Sequence, residues 1–420
     1  RILARDPCVA VGGAASSPWT KPLRGSEVLV GSLPRTRHNT RPRFEVAQIL
    51  REHAADYRAR RVMTEEQRRA VWAMVHCRTA ALGGHLDRCD ACDFDRPAYN
   101  SCRHRACPKC QWQRQQEWIA KQVDRALPVP YSHLVFTLPA ELRPLARANP
   151  REVYRILFAA ASRTVQRLAR DPRHLGAQVG ITAVLHTWTQ SLHYHPHVHL
   201  IVTAGGLSED RKRWVPNRWG ERYLFPVRIL SRAFRGAFVR ALVRARTRGK
   251  LDLTGEDVAE VADDETFADF KRDLYNKDWV VYAKRPFPGV SQLYRYLGRY
   301  THRVGLSNDR LLLVDEGSVT IRTRAGTASF GTQEFLRRFL QHVPPKGFVR
   351  VRHFGLFASA HTARLQAAQE LLDAERLEAP AESRQEAGEA PAEPCPSCLF
   401  GTLAREELAP SPSIEDLWDP

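Results

Sequence analysis

The sequence lacks the features of a membrane or secreted protein. Among its 420 residues, no apolar run approaches the ~20 residues that a transmembrane helix needs. The N-terminus does not show the charged-then-apolar pattern of a secretory signal peptide. Hydrophobic residues make up 43% of the chain, which is enough for a packed core. We therefore expect a soluble, cytoplasmic protein that is globular over most of its length.

Acidic residues are also in deficit. The chain has 46 Asp and Glu against 64 Lys and Arg, which gives a formal net charge of +18. Residues 370–420 contain 13 acidic and 3 basic residues, a net of −10, so the rest of the chain carries +28. A solvated surface explains scattered charges but not an excess of this size. The charge predicts a polyanionic partner, most simply nucleic acid, and hence association with the nucleoid.

The nine cysteines do not indicate a disulfide scaffold, because their number is odd and most are clustered in Cys-x-x-Cys pairs. Cys89 and Cys92 form one pair, and Cys107 and Cys110 form another after 14 intervening residues. This spacing is typical of a zinc ribbon, so we predict that these four thiolates bind one Zn²⁺. The metal ion either stabilises a small subdomain or positions the neighbouring basic residues to contact the phosphates of a nucleic acid. Possible ligands for a second zinc site remain in Cys77, His85, Cys102 and His104.

Composition and periodicity divide the chain into four regions. We predict a disordered leader (1–42), a helical zinc-binding domain (43–127), an α/β domain (128–368) with a polar insertion at about 248–268, and an acidic disordered tail (369–420). The second helix of the zinc-binding domain begins at a capping sequence, Thr64 to Gln67. The tail contains one further pair, Cys395 and Cys398, which by itself supplies half of a zinc site.

The stretch TWTQSLHYHPHVHLI, residues 187–201, contains the candidate active-site histidines. On a strand, His197 and His199 point to the same face, and two convergent neutral imidazoles suit a divalent metal ion. Pro196 is expected to end the strand before them, because proline cannot donate to a sheet. Strands are predicted at 131–138, 179–188, 197–203 and 279–283, with the second and third forming a hairpin. That pairing offers His186 as a third ligand and Gln190 as the next choice.

Residues 290–300, VSQLYRYLGRY, are predicted to form a helix. Tyr296 and Tyr300 are then separated by one turn and share a face, while Tyr294 points away. A tyrosine pair on a helix is usually part of a core or an interface. Beside a metal-binding histidine pair in a strongly basic protein, it also suggests phosphodiester chemistry on DNA, with a phenol as the nucleophile.

The chain resembles the HUH (His-hydrophobe-His) rolling-circle transposases of the insertion-sequence-91-like type. The resemblance extends from about Arg43 to Ala374 and rests on several quoted segments. They are CRTAALGGH, CDAC, NSCRHRACPKCQ, YSHLVFTLP, VLHTWTQSLHYHPHVH, DWVVYAKRPF, YLGRYTHRVGLSNDR and EFLRRFLQHVPPKGFVRVRHFG.

This resemblance implies an α/β (α+β) nuclease domain with a central antiparallel sheet, preceded by an N-terminal zinc-binding domain. It implies that His197 and His199 hold Mg²⁺ or Mn²⁺ and that Tyr296 and Tyr300 are the nucleophiles. The implied reaction is nicking of single-stranded DNA, with a 5′-phosphotyrosine and a free 3′-OH, leading to rolling-circle transposition. The family zinc domain maps onto Cys89, Cys92, Cys107 and Cys110.

Three other functions remain open from the sequence. A rolling-circle replication initiator uses the same kind of centre. A non-catalytic, zinc-containing DNA-binding protein would bind DNA without cutting it. A zinc hydrolase built on the histidines would leave the tyrosine pair without a role. Neither the oligomeric state nor the DNA sequence recognised follows from these patterns.

Overall fold

The architecture is given by a computed structural model, which describes residues 42–218, 220, 223–286, 305–374, 395–398, 400 and 402–410. The described helices are α1 Val46–Arg60, α2 Glu65–Val75, α3 Gln111–Asp124, α4 Arg143–Ala148, α5 Pro150–Arg170, α6 Val227–Thr247, α7 Ala259–Ala262, α8 Asp264–Asn276, α9 Thr332–Leu340 and α10 Thr362–Ala374. The described strands are β1 Gly84–Cys89, β2 Asp95–Tyr99, β3 Tyr131–Thr137, β4 Gly180–Trp188, β5 Tyr194–Thr203, β6 Gly205–Leu207, β7 Trp214–Pro216, β8 Val281–Ala283, β9 Leu311–Val314, β10 Ser318–Thr323, β11 Gly326–Gly331, β12 Val351–Gly355 and β13 Leu403–Leu408. Residues 1–41 and the predicted tyrosine helix lie outside the described residues.

Five strands form an antiparallel sheet in the order β12-β4-β5-β3-β8, with the histidine strand β5 at its centre. Side chains alternate between its faces, so Leu134, Phe136, Val198 and Leu200 point into the main core with α5 and α6. The ring of Phe136 meets that of Phe234 from α6 at a centroid distance of 5.0 Å. The predicted fold class, α/β with a central antiparallel sheet flanked by helices, is confirmed.

The structure differs from the expectation at Pro196, because β5 begins earlier, at Tyr194, and includes the proline. The register of β4 and β5 shifts here. His186 faces His197, whereas Trp188 faces Tyr194, so β5 carries an extra residue between the two pairs. This β-bulge accommodates a residue without an N–H donor inside the strand pair.

The region predicted as a polar insertion, 248–268, is part of the core. It contains α7 and the start of α8, and it buries Val258, Val261 and Phe267 against the helices above the sheet. The loop before α7 is held by Asn149, whose side chain donates to the Asp252 carbonyl at 2.8 Å and accepts from the Asp252 amide at 2.6 Å. The region is polar in composition because the outer faces of these helices are exposed. A few apolar side chains at helical spacing are enough to anchor them in the core.

The N-terminal helices also pack across the predicted domain boundary at 127/128. The capping box at Thr64 is present as predicted, and it starts α2. The apolar faces of α1 and α2 share a core with α9 and the β9-β10-β11 sheet, in which Leu50, Met74, Ile321 and Phe335 are all buried. The packing therefore joins residues near position 50 to residues near position 330.

The tail predicted to be disordered contributes ordered structure. It contains the last turns of α10, and β13 pairs with β1 in a three-stranded antiparallel sheet of order β13-β1-β2. The buried carboxylate of Asp87 receives Arg96 Nη2 at 3.0 Å and Arg405 Nε at 2.9 Å, which links the three strands. The prediction of disorder rested on the acidic, proline-rich composition of the tail as a whole. A single strand can still form within such a segment, because it needs only a backbone partner and a few specific contacts.

Within the described part of the chain, none of the helices combines the length and apolar character needed to cross a membrane.

His342, at the end of α9, predicts acid sensitivity of the fold. Its ring is buried, with Nδ1 3.2 Å from Thr187 Oγ1 and Nε2 3.2 Å from the Leu192 carbonyl. Burial lowers its pKa to about 3. An unfolded histidine takes up a proton near pH 6.5, so this contribution is complete above pH 6.5 and is lost as pH falls towards 3.

We therefore expect the free energy of unfolding, measured by urea titration at pH 7, 6 and 5, to fall with pH. His342→Gln should reduce this slope by up to about 1.4 kcal/mol per pH unit, the value for one proton. The exposed His193 provides the matched control, and His193→Gln should keep the wild-type slope. An unchanged slope in His342→Gln would contradict the assignment.

Candidate metal sites

Three histidines from β4 and β5 converge on the sheet face opposite the main core. The register sets His186 directly across from His197, and His199 follows two residues later on the same face. One ring nitrogen of each histidine lies within 4.8 Å of the others. The ring centroids of His186 and His199 are 4.2 Å apart, and those of His197 and His199 are 4.9 Å apart. The geometry is therefore that of three ligands around one point.

Hydrogen bonds orient two of these rings. His197 Nδ1 lies 2.7 Å from the carbonyl of His195 and can only donate to it, so its Nε2 keeps a lone pair. His199 Nδ1 lies 2.8 Å from His133 Nε2 on the neighbouring strand β3. The Nε2 of His199 is buried and meets no hydrogen-bond partner among the described residues. A buried, unsatisfied ring nitrogen that faces two other imidazoles fits a bound cation.

Burial keeps all three imidazoles neutral. It lowers the pKa of His197 to about 4, and it holds the pKa values of His186 and His199 well below their usual range. The mutual repulsion of the rings as cations acts in the same direction. The neutral ring is the form that binds metal, so near pH 7 no proton has to leave before an ion binds.

Gln190, the alternative third ligand, is engaged elsewhere. Its side-chain oxygen accepts a hydrogen bond from the backbone amide of Arg324 at 2.7 Å, and its carbonyl accepts one from Arg310. Among His, Cys, Asp and Glu of the described residues, only histidines belong to this cluster. The predicted nucleophiles Tyr296 and Tyr300 lie outside the described residues.

The four cysteines predicted to bind one zinc ion are divided between two clusters, so that ligand set is corrected. Cys107 and Cys110 join Cys77 and Cys102, and all four sulfurs lie within 4.8 Å of one another. The second cluster contains Cys89, Cys92, Cys395 and Cys398, whose sulfur atoms also lie within 4.8 Å of one another. The spacing of two Cys-x-x-Cys pairs shows that each is a half-site but does not specify its partner.

The first cluster combines Cys77, which follows the end of α2, with Cys102, Cys107 and Cys110, which precede α3. Cys110 Sγ is 3.2 Å from Cys77 Sγ and 3.5 Å from Cys102 Sγ. Hydrogen bonds from Cys102 and Cys107 lower the pKa of Cys77 to about 7, while the surrounding thiols raise the pKa of Cys107. Four thiolates at these distances repel one another, so full ionisation requires a cation among them. His104 and His85, the other candidates for a second site, belong to neither cluster.

Comparison with known proteins agrees with this division into a cysteine-rich part and a histidine-bearing part. The family model described as "Transposase zinc-binding domain" (Zn_Tnp_IS91) matches residues 49–138, which include the first cluster and half of the second. The model described as "Putative transposase" (Y2_Tnp) matches residues 180–364, which include β4 and β5. No solved structure matches the chain.

Two curated relatives match most of the chain. A protein of Sinorhizobium fredii named "Putative transposase y4qJ" is 42% identical over 325 residues, which cover 76% of this chain and 81% of that protein. The "Transposase for insertion sequence element IS801" of Pseudomonas savastanoi pv. phaseolicola is 30% identical over 312 residues, covering 69% and 70% respectively. The chain therefore belongs to the insertion-sequence-91-like transposases with an N-terminal zinc-binding domain.

Proposed function

We propose that this transposase nicks single-stranded DNA at the ends of its element through a tyrosine and rejoins it at a target, in rolling-circle transposition. The observation that carries the proposal is the cluster of three neutral imidazoles on the central strands of a strongly basic chain. A transposase has to break phosphodiester bonds, and this cluster can hold the ion that such a reaction requires. The substrates are single-stranded transposon ends and target DNA.

His186, His197 and His199 would hold the ion, Mg²⁺ or Mn²⁺. The buried, unsatisfied Nε2 of His199 supports this assignment. A bound divalent ion supplies positive charge for a scissile phosphate and makes its phosphorus more electrophilic. Imidazole suits Mn²⁺ better than Mg²⁺, which prefers oxygen, so Mn²⁺ should support activity well.

The neighbours of this triad act as positioning residues. The His195 carbonyl fixes the tautomer of His197, and the His133 ring does the same for His199 when His199 donates from Nδ1. The indole of Trp188 stacks on His186 at a centroid distance of 4.9 Å. These contacts fix the orientation of the three imidazole rings, so that one nitrogen lone pair of each is available to the ion before substrate binds.

Tyr296 and Tyr300 are the proposed nucleophiles. The phenolic oxygen attacks phosphorus and forms a P–O bond, while the bond from phosphorus to the 3′-oxygen breaks. The phenol loses its proton, and the 3′-oxygen gains one and leaves as a free 3′-OH. The 5′-phosphotyrosine linkage conserves the energy of the broken phosphodiester bond, so rejoining needs no ATP. A second tyrosine four residues away in sequence allows a second strand to be cut while the first is still held.

Replacement of the histidines tests the metal centre. We expect His197→Ala and His199→Ala to lose both Mn²⁺ binding and cleavage of single-stranded element ends, because each removes a ligand. His186→Ala should weaken Mn²⁺ binding by at least ~10-fold. Mn²⁺ affinity can be measured by electron paramagnetic resonance, and cleavage on a denaturing gel.

The exposed His193 is the control, since it is in the loop between the same strands but outside the cluster. His193→Ala should retain both properties. Normal Mn²⁺ binding by His197→Ala would refute the proposal that the histidine cluster holds the ion. Normal binding by His186→Ala would remove only the third ligand.

Phenylalanine substitutions test the nucleophiles, because they keep the ring and delete its oxygen. The double variant Tyr296→Phe/Tyr300→Phe should form no covalent adduct with single-stranded DNA in Mn²⁺, whereas Tyr294→Phe should form it normally. Each single variant should fail in complete transposition, although one can still nick. The adduct is detected by denaturing gel and located by peptide mapping. DNA attached to any other residue would overturn this mechanism and leave the metal assignment intact.

A further inference from the structure

The second cysteine cluster joins two half-sites that lie about 300 residues apart in sequence. Cys89 is the last residue of β1 and Cys92 follows the strand, whereas Cys395 and Cys398 precede β13. The Sγ atoms of Cys89 and Cys398 are 3.8 Å apart, as are those of Cys92 and Cys395. Zinc–sulfur bonds of about 2.3 Å in a regular tetrahedron set neighbouring sulfurs about 3.8 Å apart. The cluster therefore has the dimensions of a zinc tetrathiolate site.

The backbone around the two half-sites repeats the same local pattern. The amide of Ala91 lies 3.3 Å from Cys89 Sγ, and the amide of Ser397 lies 3.4 Å from Cys395 Sγ. In each half-site, the N–H two residues after the first cysteine donates to its sulfur. Such donation stabilises a thiolate, which is the form that binds zinc. Both half-sites are thus preorganised as metal knuckles.

The strands on either side hold the half-sites together. β1 and β13 pair from Gly84 opposite Leu408 to Cys89 opposite Leu403. Beyond the last pair, the Asp90 carboxylate accepts hydrogen bonds from Thr402, at 2.8 Å from its amide and 2.6 Å from its hydroxyl. The tail strand is therefore docked in a single register, and this register sets the separation of the cysteines.

We propose that Cys89, Cys92, Cys395 and Cys398 bind a second zinc ion, which fastens the C-terminal tail to the N-terminal zinc-binding domain. The first zinc ion belongs to Cys77, Cys102, Cys107 and Cys110. The two sites are independent in ligands, and only the second is composed from both ends of the chain. Removal of the second ion frees the tail strand but leaves the first site complete. Neither statement depends on the proposed nuclease chemistry.

Metal analysis of the purified full chain tests the proposal. Wild-type protein should contain two zinc ions per chain, and Cys395→Ser/Cys398→Ser should contain one. Cys8, outside the described residues, is the matched cysteine control, and Cys8→Ser should retain two. Hydrogen exchange of the β1 amides should rise at least 10-fold in Cys395→Ser/Cys398→Ser, because β13 is no longer fastened.

A ligand-restoring variant separates metal binding from a general loss of folding. Cys398→His keeps a zinc-binding side chain and should retain two zinc ions. Zinc at one per chain in the wild type, or at two per chain in Cys395→Ser/Cys398→Ser, would refute the second site. Cobalt substitution provides an independent count through its thiolate charge-transfer absorbance.

A separate observation concerns a groove between the long helices α5 and α6. Its floor consists of small residues, which include Ala159, Ala160, Gly236, Ala237 and Ala241. Its walls bear six exposed arginines, Arg163, Arg167, Arg170, Arg232, Arg240 and Arg244. No Asp or Glu lines the groove, and none of these six guanidinium groups pairs with a carboxylate of the described residues. Six like charges without counterions favour an anionic ligand.

The groove is separated from the histidine cluster by the sheet. α5 and α6 bury Leu157 and Phe234 against the sheet face that carries Val198, whereas His197 and His199 point to the other face. Arg163, Arg167 and Arg170 follow one another at i, i+4 and i+7. They therefore form a stripe about 10 Å long, equivalent to about three base steps of one DNA strand.

We infer that this arginine groove binds the phosphate backbone of DNA away from the point of cleavage. The location of cleavage rests on the proposed function, whereas binding in the groove does not. A transposase has to hold flanking or target DNA besides the strand it cuts, and a phosphate-binding groove on the far side of the sheet provides a second contact region. The groove is lined mainly by arginine and alanine, so its main contacts are to phosphate charge.

The variant Arg167→Gln/Arg240→Gln removes the two arginines that line both halves of the groove. Its affinity for long DNA should fall, and its log–log salt slope should become shallower by about 1.4 for single strands or 1.8 for duplex. The slope is measured separately for the two forms of DNA, and the form whose slope changes by the expected amount is the one that occupies the groove. Arg60→Gln/Arg61→Gln, two exposed arginines at the end of α1, removes equal charge as the control.

Equal slopes for the groove variant and the control would overturn the groove assignment. Mn²⁺ binding by the groove variant should equal that of the wild type, because the sheet lies between the two regions. Loss of Mn²⁺ binding would show that the variant is misfolded, and Arg163→Gln/Arg244→Gln then repeats the test at neighbouring positions.

Discussion

The pairing of β4 with β5 is the interaction on which the candidate active site depends. Because side chains alternate along a strand, a slip of one residue would turn His197 and His199 into the core and bring Val198 to the face that now holds the histidines. The register is secured from the other side, where Val198 and Leu200 are fully buried beneath the helices. Packing of the apolar face thus determines the geometry of the polar one.

The same burial prepares the chemistry of the site. Three imidazoles within 4.8 Å of one another cannot all be protonated without strong repulsion, and desolvation disfavours the charged form further. Both effects keep the rings neutral near pH 7, as a metal ligand requires. The contacts from the His195 carbonyl and the His133 ring then direct the remaining lone pairs. A buried group without a partner is unfavourable by itself, so a bound ion would also stabilise the sheet.

Long-range contacts tie the two ends of the described chain into the body of the protein. The first helices share a core with α9, and β1 takes β13 as its neighbour. The cysteine clusters follow this arrangement, since one combines residues of the zinc-binding domain and the other draws half of its thiols from the tail. The regions predicted as separate domains along the sequence therefore pack against one another and share cores and sheets.

Features that depend on neighbouring residues could be predicted from the sequence alone. These were the positions of four strands of the central sheet, apart from the start of β5, the common face of His197 and His199, the capping box at Thr64 and the Cys-x-x-Cys half-sites. Alternation, capping and short metal spacings are local, so they can be recognised without knowledge of the fold.

Which half-sites meet depends on the folded chain. A Cys-x-x-Cys pair fits any other pair equally well, and the partner of Cys89 and Cys92 lies about 300 residues away. The inclusion of Pro196 in β5 likewise required a bulge in the opposing pair, and the burial of α7 and α8 required a core to receive them. Each of these outcomes is set by contacts between distant residues, because backbone pairing and packing select among options that the local sequence leaves equal in energy.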